Sequence, residues 1–179
     1  MVEDVPLSTS TDYKVNNVMP RIPVADVYEQ VIQDLTDSQT LMQEEYQRSE
    51  RVRPNKSAAA ALLARVYLYT QQWDKAETEA TKVISRSAVY TLPALNDAFL
   101  KESNEAIWQL QVINPGWATW EGYSFNAPFY KLRDELLAAF EPNDDRYTDW
   151  VKEQTTVTPS RFHPYKYKVM RSTAITEYC

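Results

Sequence analysis

Four aromatic side chains lie close together in the second half of the sequence. They fall within nine residues and are Trp117, Trp120, Tyr123 and Phe125. Flat rings of this kind can stack on the apolar C–H faces of sugars, while neighbouring amides can hydrogen-bond to hydroxyl groups. We therefore predict that a glycan is bound by Trp117, Trp120, Tyr123 and Asn126. The alternative is that the rings cover the hydrophobic core from a long loop, and the sequence leaves both open.

Histidine and cysteine content gives little support to metal or nucleophilic chemistry. His163 is the only histidine and Cys179 the only cysteine. A zinc site needs three or four nitrogen, sulfur or oxygen ligands, and a nucleophilic triad needs a base placed beside its serine. Ser160 is near His163 only along the chain. We predict no metal ligands, no catalytic residues and a protein that is not an enzyme.

Carboxylates leave a glycoside hydrolase as a remote alternative. Two carboxyl groups roughly 5 to 10 Å apart can cleave a glycosidic bond. The candidates are Glu105, Glu121, Glu141 and Asp144. Their separation cannot be derived from the sequence, and Asp144 is followed by Arg146, which favours a helix cap or an ion pair. Calcium binding in an EF-hand would need an alternating acidic loop with a central glycine, which is absent.

Composition excludes several other classes of function. The 179 residues include only two glycines, Gly116 and Gly122, so neither the Walker nor the Rossmann fingerprint is present and no cofactor is predicted. The net charge is -6 and Lys and Arg form no basic stripe, so we predict no nucleic-acid partner. The sequence contains no run of about 18 apolar residues that would predict a transmembrane helix.

Helical periodicity dominates the first half of the chain. Apolar residues recur every three or four positions from Val24 to Leu35, which predicts an amphipathic helix over 23–42 beginning at Pro23. Residues 44–56 read as a charged loop. Residues 57–70 are apolar nearly all round and predict a buried helix. After a short turn, Asp74 and Glu77 are spaced as a capping box for a further helix, with Trp73 on its apolar face.

Two helices joined by so short a turn must lie antiparallel. Small residues at Ala64, Ala76 and Ala80 allow close approach, and the spacing matches a tetratricopeptide repeat over about 28 residues. The second half is irregular. There we predict a strand over 105–113, a loop over 114–127 and a helix over 128–140.

Five blocks of sequence, in this order, resemble the SusD/RagB family of outer-membrane nutrient-binding lipoproteins. They are RIPVADVYEQVIQDL, RPNKSAAAALLARVYLYTQQWDKAETEATKVI, NDAFLKESNEAIWQLQ, LLAAFEPNDDR and HPYKYKV. The resemblance implies a mainly α fold, with tetratricopeptide-like helical hairpins, long loops and little β-structure. It implies one SusD-like domain fragment over 1–179, with the helices at about 23–87 and a loop-rich part at about 88–179.

The same resemblance implies a function in polysaccharide utilization. Members of the SusD/RagB family capture glycans at the cell surface without catalysis and pass them to a SusC-like TonB-dependent outer-membrane transporter for nutrient uptake. It implies an extracellular location at the outer membrane, through a lipid anchor that is missing from this chain, since Cys179 is at the wrong end. An alternative remains open, in which the tetratricopeptide helices are a protein-interaction scaffold that contacts the transporter.

Overall fold

The structure is a computed structural model that describes residues 4–111, 119–126, 130–171 and 176–177. The chain divides into two compact units. Unit 1 comprises Met1–Tyr46 and Pro54–Arg86, and unit 2 comprises Gln47–Arg53 and Ser87–Cys179. The described residues form seven helices and one two-stranded sheet, so the predicted mainly α fold is confirmed. The single domain stays a prediction.

Unit 1 contains four helices. They are α1 (Tyr13–Asn16), α2 (Val24–Leu41), α3 (Lys56–Tyr69) and α4 (Trp73–Ile84). The predicted helices over 23–42 and 57–70 are therefore confirmed to within a residue or two, with Pro23 as the cap rather than the first helical residue. Asp12 caps the short helix α1 by accepting from the backbone N–H of Lys14.

The core of unit 1 lies where α3 packs against both α2 and α4. Leu63, Tyr67 and Ala76 form a buried cluster, and Ile32 and Leu35 of α2 pack against it. These α2 positions are three residues apart, so they share one face of the helix, as the period of the apolar residues predicts. The small side chain of Ala76 lets α4 approach α3 closely, which yields the predicted helical hairpin.

The turn between α3 and α4 is closed by backbone hydrogen bonds. The N–H of Gln72 donates to the carbonyl of Tyr67 at 2.8 Å, and the N–H of Gln71 donates to that of Leu68 at 3.2 Å. This is the Schellman arrangement, which requires a left-handed residue at the second position of the turn. Gln71 takes that conformation, with a φ of 59°, although glycine is the residue that adopts it without steric cost.

Replacing Gln71 with glycine is accordingly expected to stabilise the chain by about 0.5 to 1 kcal/mol. The exposed side chain of Gln71 contributes no packing that the change would remove. Urea denaturation followed by circular dichroism would measure it. The matched control is Thr78→Gly, which places a glycine at an exposed position inside α4 and should destabilise by about 0.4 kcal/mol. Destabilisation by both changes would contradict the strain at the turn.

Two details of the hairpin differ from the sequence prediction. The cap of α4 is Gln72, which makes no side-chain capping hydrogen bond, so the predicted capping box of Asp74 and Glu77 is wrong. Asp74 instead lies in the first turn, where its charge interacts favourably with the helix dipole. Trp73 was predicted on the packed face, yet 57% of it is exposed.

Helix α3 was predicted to be buried all round, and this is wrong for one side. Leu62, Leu68 and Tyr69 are each more than half exposed, whereas Leu63 and Val66 are buried. A guanidinium lies over the exposed ring, with Arg65 Cζ 5.9 Å from the centroid of Tyr69. Within unit 1, α2 and α4 pack closely against α3, and they leave Leu62, Leu68 and Tyr69 exposed.

The described residues of unit 2 form three short helices and the sheet. They are α5 (Trp120–Asn126), α6 (Asp134–Ala138), α7 (Asp145–Trp150), β1 (Val151–Gln154) and β2 (Arg161–Pro164). The strands are antiparallel, with Lys152 opposite His163. The predicted strand over 105–113 is wrong for 105–111, which are irregular, and the rest lies outside the described residues. Of the predicted helix over 128–140, the described residues 130–140 are helical only at α6, and 128–129 lie outside the described residues.

Polar side chains organise the interior of unit 2. The buried side chains described there are Arg51, Ser103, Gln109, Thr119, Ser124, His163 and Glu177. Arg51 donates from its guanidinium to the carbonyls of Val89, Asn104 and Ala106 at 2.7 to 3.1 Å. Its own carbonyl accepts from the N–H of Gln109 at 3.0 Å. The segment 47–53 is thus tied to 87–111 by hydrogen bonds, as buried polar groups require.

Candidate functional site

The residues predicted to bind a ligand are brought together in part. Trp120, Tyr123 and Asn126 all lie on α5, a helix within the stretch predicted to be a loop. Trp117 lies outside the described residues. Because a helix places residues three apart on the same side, Trp120 and Tyr123 are neighbours, with ring centroids 5.9 Å apart and planes at 34°. They form one aromatic surface.

Thr119 accounts for the start of α5. Its side chain is almost completely buried, and its hydroxyl accepts from the backbone N–H of Gly122 at 2.9 Å. This is the side-chain cap that favours threonine at a helix start, and it satisfies a donor that the helix itself leaves open. The carbonyl of Thr119 accepts from the N–H of Tyr123 at 3.0 Å. A threonine ahead of the aromatic residues was the sequence signal for this helix.

The two rings differ in exposure. Trp120 is 73% exposed, so its indole face is open to a ligand, while Tyr123 is half-buried. The guanidinium of Arg171 lies 5.8 Å from the centroid of Tyr123, a cation–π distance. The open ring face of Trp120 therefore lies beside the ring of Tyr123, which in turn has the guanidinium of Arg171 next to it. Its binding role stays a prediction.

Asn126 has a structural role in the fold. Its amide nitrogen donates to the carbonyl of Gly122 at 2.9 Å and to that of Tyr167 at 2.7 Å. Both N–H groups are thereby engaged, which attaches α5 to the segment after β2. Any hydrogen bond from Asn126 to a ligand would use its oxygen as an acceptor.

A basic and aromatic cluster, which the sequence reasoning missed, surrounds the hairpin of β1 and β2. The ammonium groups of Lys152 and Lys168 lie 4.3 and 4.8 Å from the centroid of Tyr165. Lys166 lies 4.8 Å from the ring of Trp150. We call Lys152, Lys166, Lys168 and these two rings the lysine cluster. Its signal was the alternation of lysine and tyrosine in HPYKYKV.

An apolar groove borders this cluster. It has a volume of about 520 Å³, and Phe125 of α5 and Trp150 of α7 line it, with Lys166 among its polar residues. Phe125 also makes an edge-on contact with Tyr130, at 6.3 Å between centroids. The groove therefore connects residues of the aromatic helix with residues of the lysine cluster.

Asp144, one of the four carboxylates considered for the glycosidase alternative, has a structural role. Asp144 caps α7 by accepting from the backbone N–H of Arg146 at 2.9 Å, and it forms an ion pair with the guanidinium at 2.6 Å. The hydrogen bond from the Arg146 side chain holds the pKa of Asp144 below its usual value. A carboxyl that stays ionised is a poor proton donor. The interpretation of Asp144 as a cap and ion-pair partner is confirmed.

His163 and Glu177 are buried and bonded to the backbone. The Nδ1 of His163 lies 3.1 Å from the carbonyl of Pro164. Glu177 accepts from the backbone N–H groups of Lys168 and Val169, at 2.7 and 3.2 Å. Burial raises the pKa of Glu177, and the hydrogen bonds partly oppose it. Within the described ranges, histidine, cysteine and carboxylates form no group of three or more that could hold a metal ion.

Comparison with known proteins gives a consistent family. The model of the family described as "Starch-binding associating with outer membrane" matches residues 3–68. A solved SusD superfamily protein from Bacteroides vulgatus is 28% identical, with a TM-score of 0.64 over 90% of this chain and 39% of its own. One from Bacteroides thetaiotaomicron is 29% identical, with a TM-score of 0.53 over 60% of this chain and 24% of its own. The chain is similar to SusD superfamily proteins.

A further structure supports the fold of this SusD-like chain. Another Bacteroides vulgatus SusD superfamily protein has a TM-score of 0.73 over 98% of this chain, at 16% identity. The chain spans less than half the length of each of these solved proteins, 45% at most. None of the curated proteins compared with it matches. Over the part of the SusD-like chain that is described, no helix has both the length and the apolar character needed to cross a membrane.

Proposed function

We propose that this chain binds glycans at the cell surface without cleaving them, as part of transporter-coupled nutrient uptake. The family description names starch binding and the outer membrane, which supports the class of ligand and the location. The observation that carries the proposal is the 73% exposure of Trp120 beside Tyr123. A ring that is mostly exposed contributes little to packing, and its open face suits stacking on sugar C–H groups.

Substitution of Trp120 tests the proposal. A glycan array would identify the oligosaccharide that the chain binds best, and calorimetry would then compare variants on it. Trp120→Ala is expected to weaken binding about tenfold, because an aromatic anchor at a binding surface contributes roughly 1 to 3 kcal/mol. The fold should be unaffected, since the ring is exposed.

The matched control is Trp73→Ala, which removes an indole that is 57% exposed in unit 1. This variant is expected to bind as the parent does. Tyr123→Phe should also bind normally if the ring, and not its hydroxyl, meets the ligand. An array on which the parent binds no glycan would refute the proposal. Equal affinity of Trp120→Ala and the parent would instead remove α5 as the site.

A second candidate function is a protein-interaction scaffold that contacts a SusC-like transporter. The observation that favours it is the exposed apolar side of α3, where Leu62, Leu68 and Tyr69 face solvent. Apolar side chains grouped on one helix are typical of surfaces that another protein covers. Co-purification with a co-expressed transporter, lost on Leu68→Glu and Tyr69→Glu, would distinguish this function from glycan binding.

A further inference from the structure

The lysine cluster concentrates positive charge in an acidic protein. The whole chain carries a net charge of -6. Residues 151–171 contain the five cations Lys152, Arg161, Lys166, Lys168 and Arg171 and the single carboxylate of Glu153, which gives +4. The absence of a basic stripe in the sequence as a whole therefore hides a local reversal of charge on the hairpin of unit 2.

Aromatic rings hold the lysines in place. Lys152 Nζ lies 4.3 Å and Lys168 Nζ 4.8 Å from the centroid of Tyr165. Lys152 and Lys166 are exposed, and within the described ranges neither forms a salt bridge. A ring beneath an ammonium group limits the freedom of its side chain and leaves its outer N–H groups directed to solvent. An anion could bind there with less loss of side-chain entropy than at a freely moving lysine.

The carboxylates near the lysine cluster have other donors. Asp149 accepts from the Asn96 amide at 2.6 Å, and Glu153 accepts from the Ser160 hydroxyl at 2.6 Å. Glu177 accepts from two backbone N–H groups. Of the three, Glu177 interacts electrostatically with Lys168. Lys152 and Lys166 are thus the two cluster cations best placed to meet an external anion.

From this we infer that the glycan recognised by this chain is acidic, its carboxylate or sulfate groups pairing with Lys152 and Lys166. The inference rests on the proposed glycan-binding function and narrows the class of ligand. Stacking would occur on Trp120, and the anionic substituents would reach the lysine cluster in the same unit. The Asn126 amide donates to the carbonyl of Tyr167, and this hydrogen bond attaches α5, which carries Trp120, to the segment after β2, which carries Lys166.

Affinity electrophoresis with matched polysaccharides tests this inference. Polygalacturonate is compared with its methyl ester, and dextran sulfate with dextran, so that each pair differs only in charged groups. The chain is expected to be retarded more by an acidic polysaccharide than by its neutral partner, and the arm that responds identifies carboxylate or sulfate. Raising the salt from about 0.05 to 0.5 M should abolish the difference, because exposed charges are screened.

The variant Lys152→Gln with Lys166→Gln should reduce the preference by about fivefold for each lysine removed. The control Lys14→Gln with Lys75→Gln removes the same charge from unit 1, and Lys75 also lies over a tyrosine, 5.4 Å from the Tyr67 centroid. Equal retardation by acidic and neutral partners overturns the inference while glycan binding stands. The inference is also overturned if a single-stranded oligonucleotide binds as strongly as the acidic polysaccharide does. Binding on the glycan array to neutral sugars alone has the same meaning, whereas an empty array refutes the proposed function itself.

Discussion

Leu63→Ala is expected to lower the free energy of unfolding of unit 1 by about 3 kcal/mol. Leu63 is 2% exposed and packs against Tyr67 and Ala76, with Ile32 and Leu35 of α2 on its other side. Truncation removes apolar contacts that three helices share and leaves a cavity, because rigid helices cannot close around an alanine. Urea denaturation followed by far-ultraviolet circular dichroism measures the change.

The neighbouring leucine provides the control. Leu62 lies next to Leu63 in α3 but is 51% exposed, so Leu62→Ala should change the free energy of unfolding by no more than about 0.5 kcal/mol. Both substitutions have the same effect on helix propensity, and only burial distinguishes them. Equal losses from the two variants would show that the hairpin is not organised around Leu63.

The first half of the fold could be predicted because its signals are local and repeated. The apolar period of α2 extends from Val24 to Leu35, about three turns, and α3 and α4 are separated by a turn too short for anything but a hairpin. The sequence could not predict which face of α3 is buried. Its apolar residues surround the helix axis, so nothing local distinguishes Leu62 from Leu63. Packing by α2 and α4 decides which leucine is buried.

The second half was predicted poorly because long-range hydrogen bonds organise it. The backbone N–H of Gln109 donates to Arg51, 58 residues earlier, and not to a neighbouring strand. The apolar pattern of 105–111 is the same in either case. Conversely, β1 and β2 have only four residues each, too few for their alternation to be seen above the polar background.

The candidate site was predicted in composition and not in arrangement. Trp120 and Tyr123 are three residues apart, which places them together only if the segment is helical. Because the sequence analysis assigned this segment to a loop, it could not predict the relative positions of the two rings. Asn126 was chosen for its amide, but the contact with Tyr167 that occupies it spans 41 residues. The lysine cluster depends on strand pairing and on rings from several segments, so charge counted along the chain did not indicate it.

The second large effect is expected from Arg51→Leu, which should destabilise unit 2 by about 3 kcal/mol or more. The buried guanidinium donates to carbonyls of Val89, Asn104 and Ala106 and to the Asn104 side chain. Leucine offers none of these donors, so the acceptors would lose hydrogen bonds without gaining water. The unfolding transition is followed by tryptophan fluorescence, since Trp108 donates to the carbonyl of Val52 beside the substituted residue.

Two further variants separate hydrogen bonding from charge at this position. Arg51→Lys keeps the charge but has a single nitrogen, which cannot reach acceptors on three residues at once, so an intermediate loss is expected. Arg53→Ala removes an exposed arginine two residues away and should cost no more than about 0.5 kcal/mol. If lysine restored full stability, charge alone would suffice. Because the buried side chains described in unit 2 are polar, directed hydrogen bonds such as those of Arg51 contribute to its order, together with ring contacts such as that between Phe99 and Trp150.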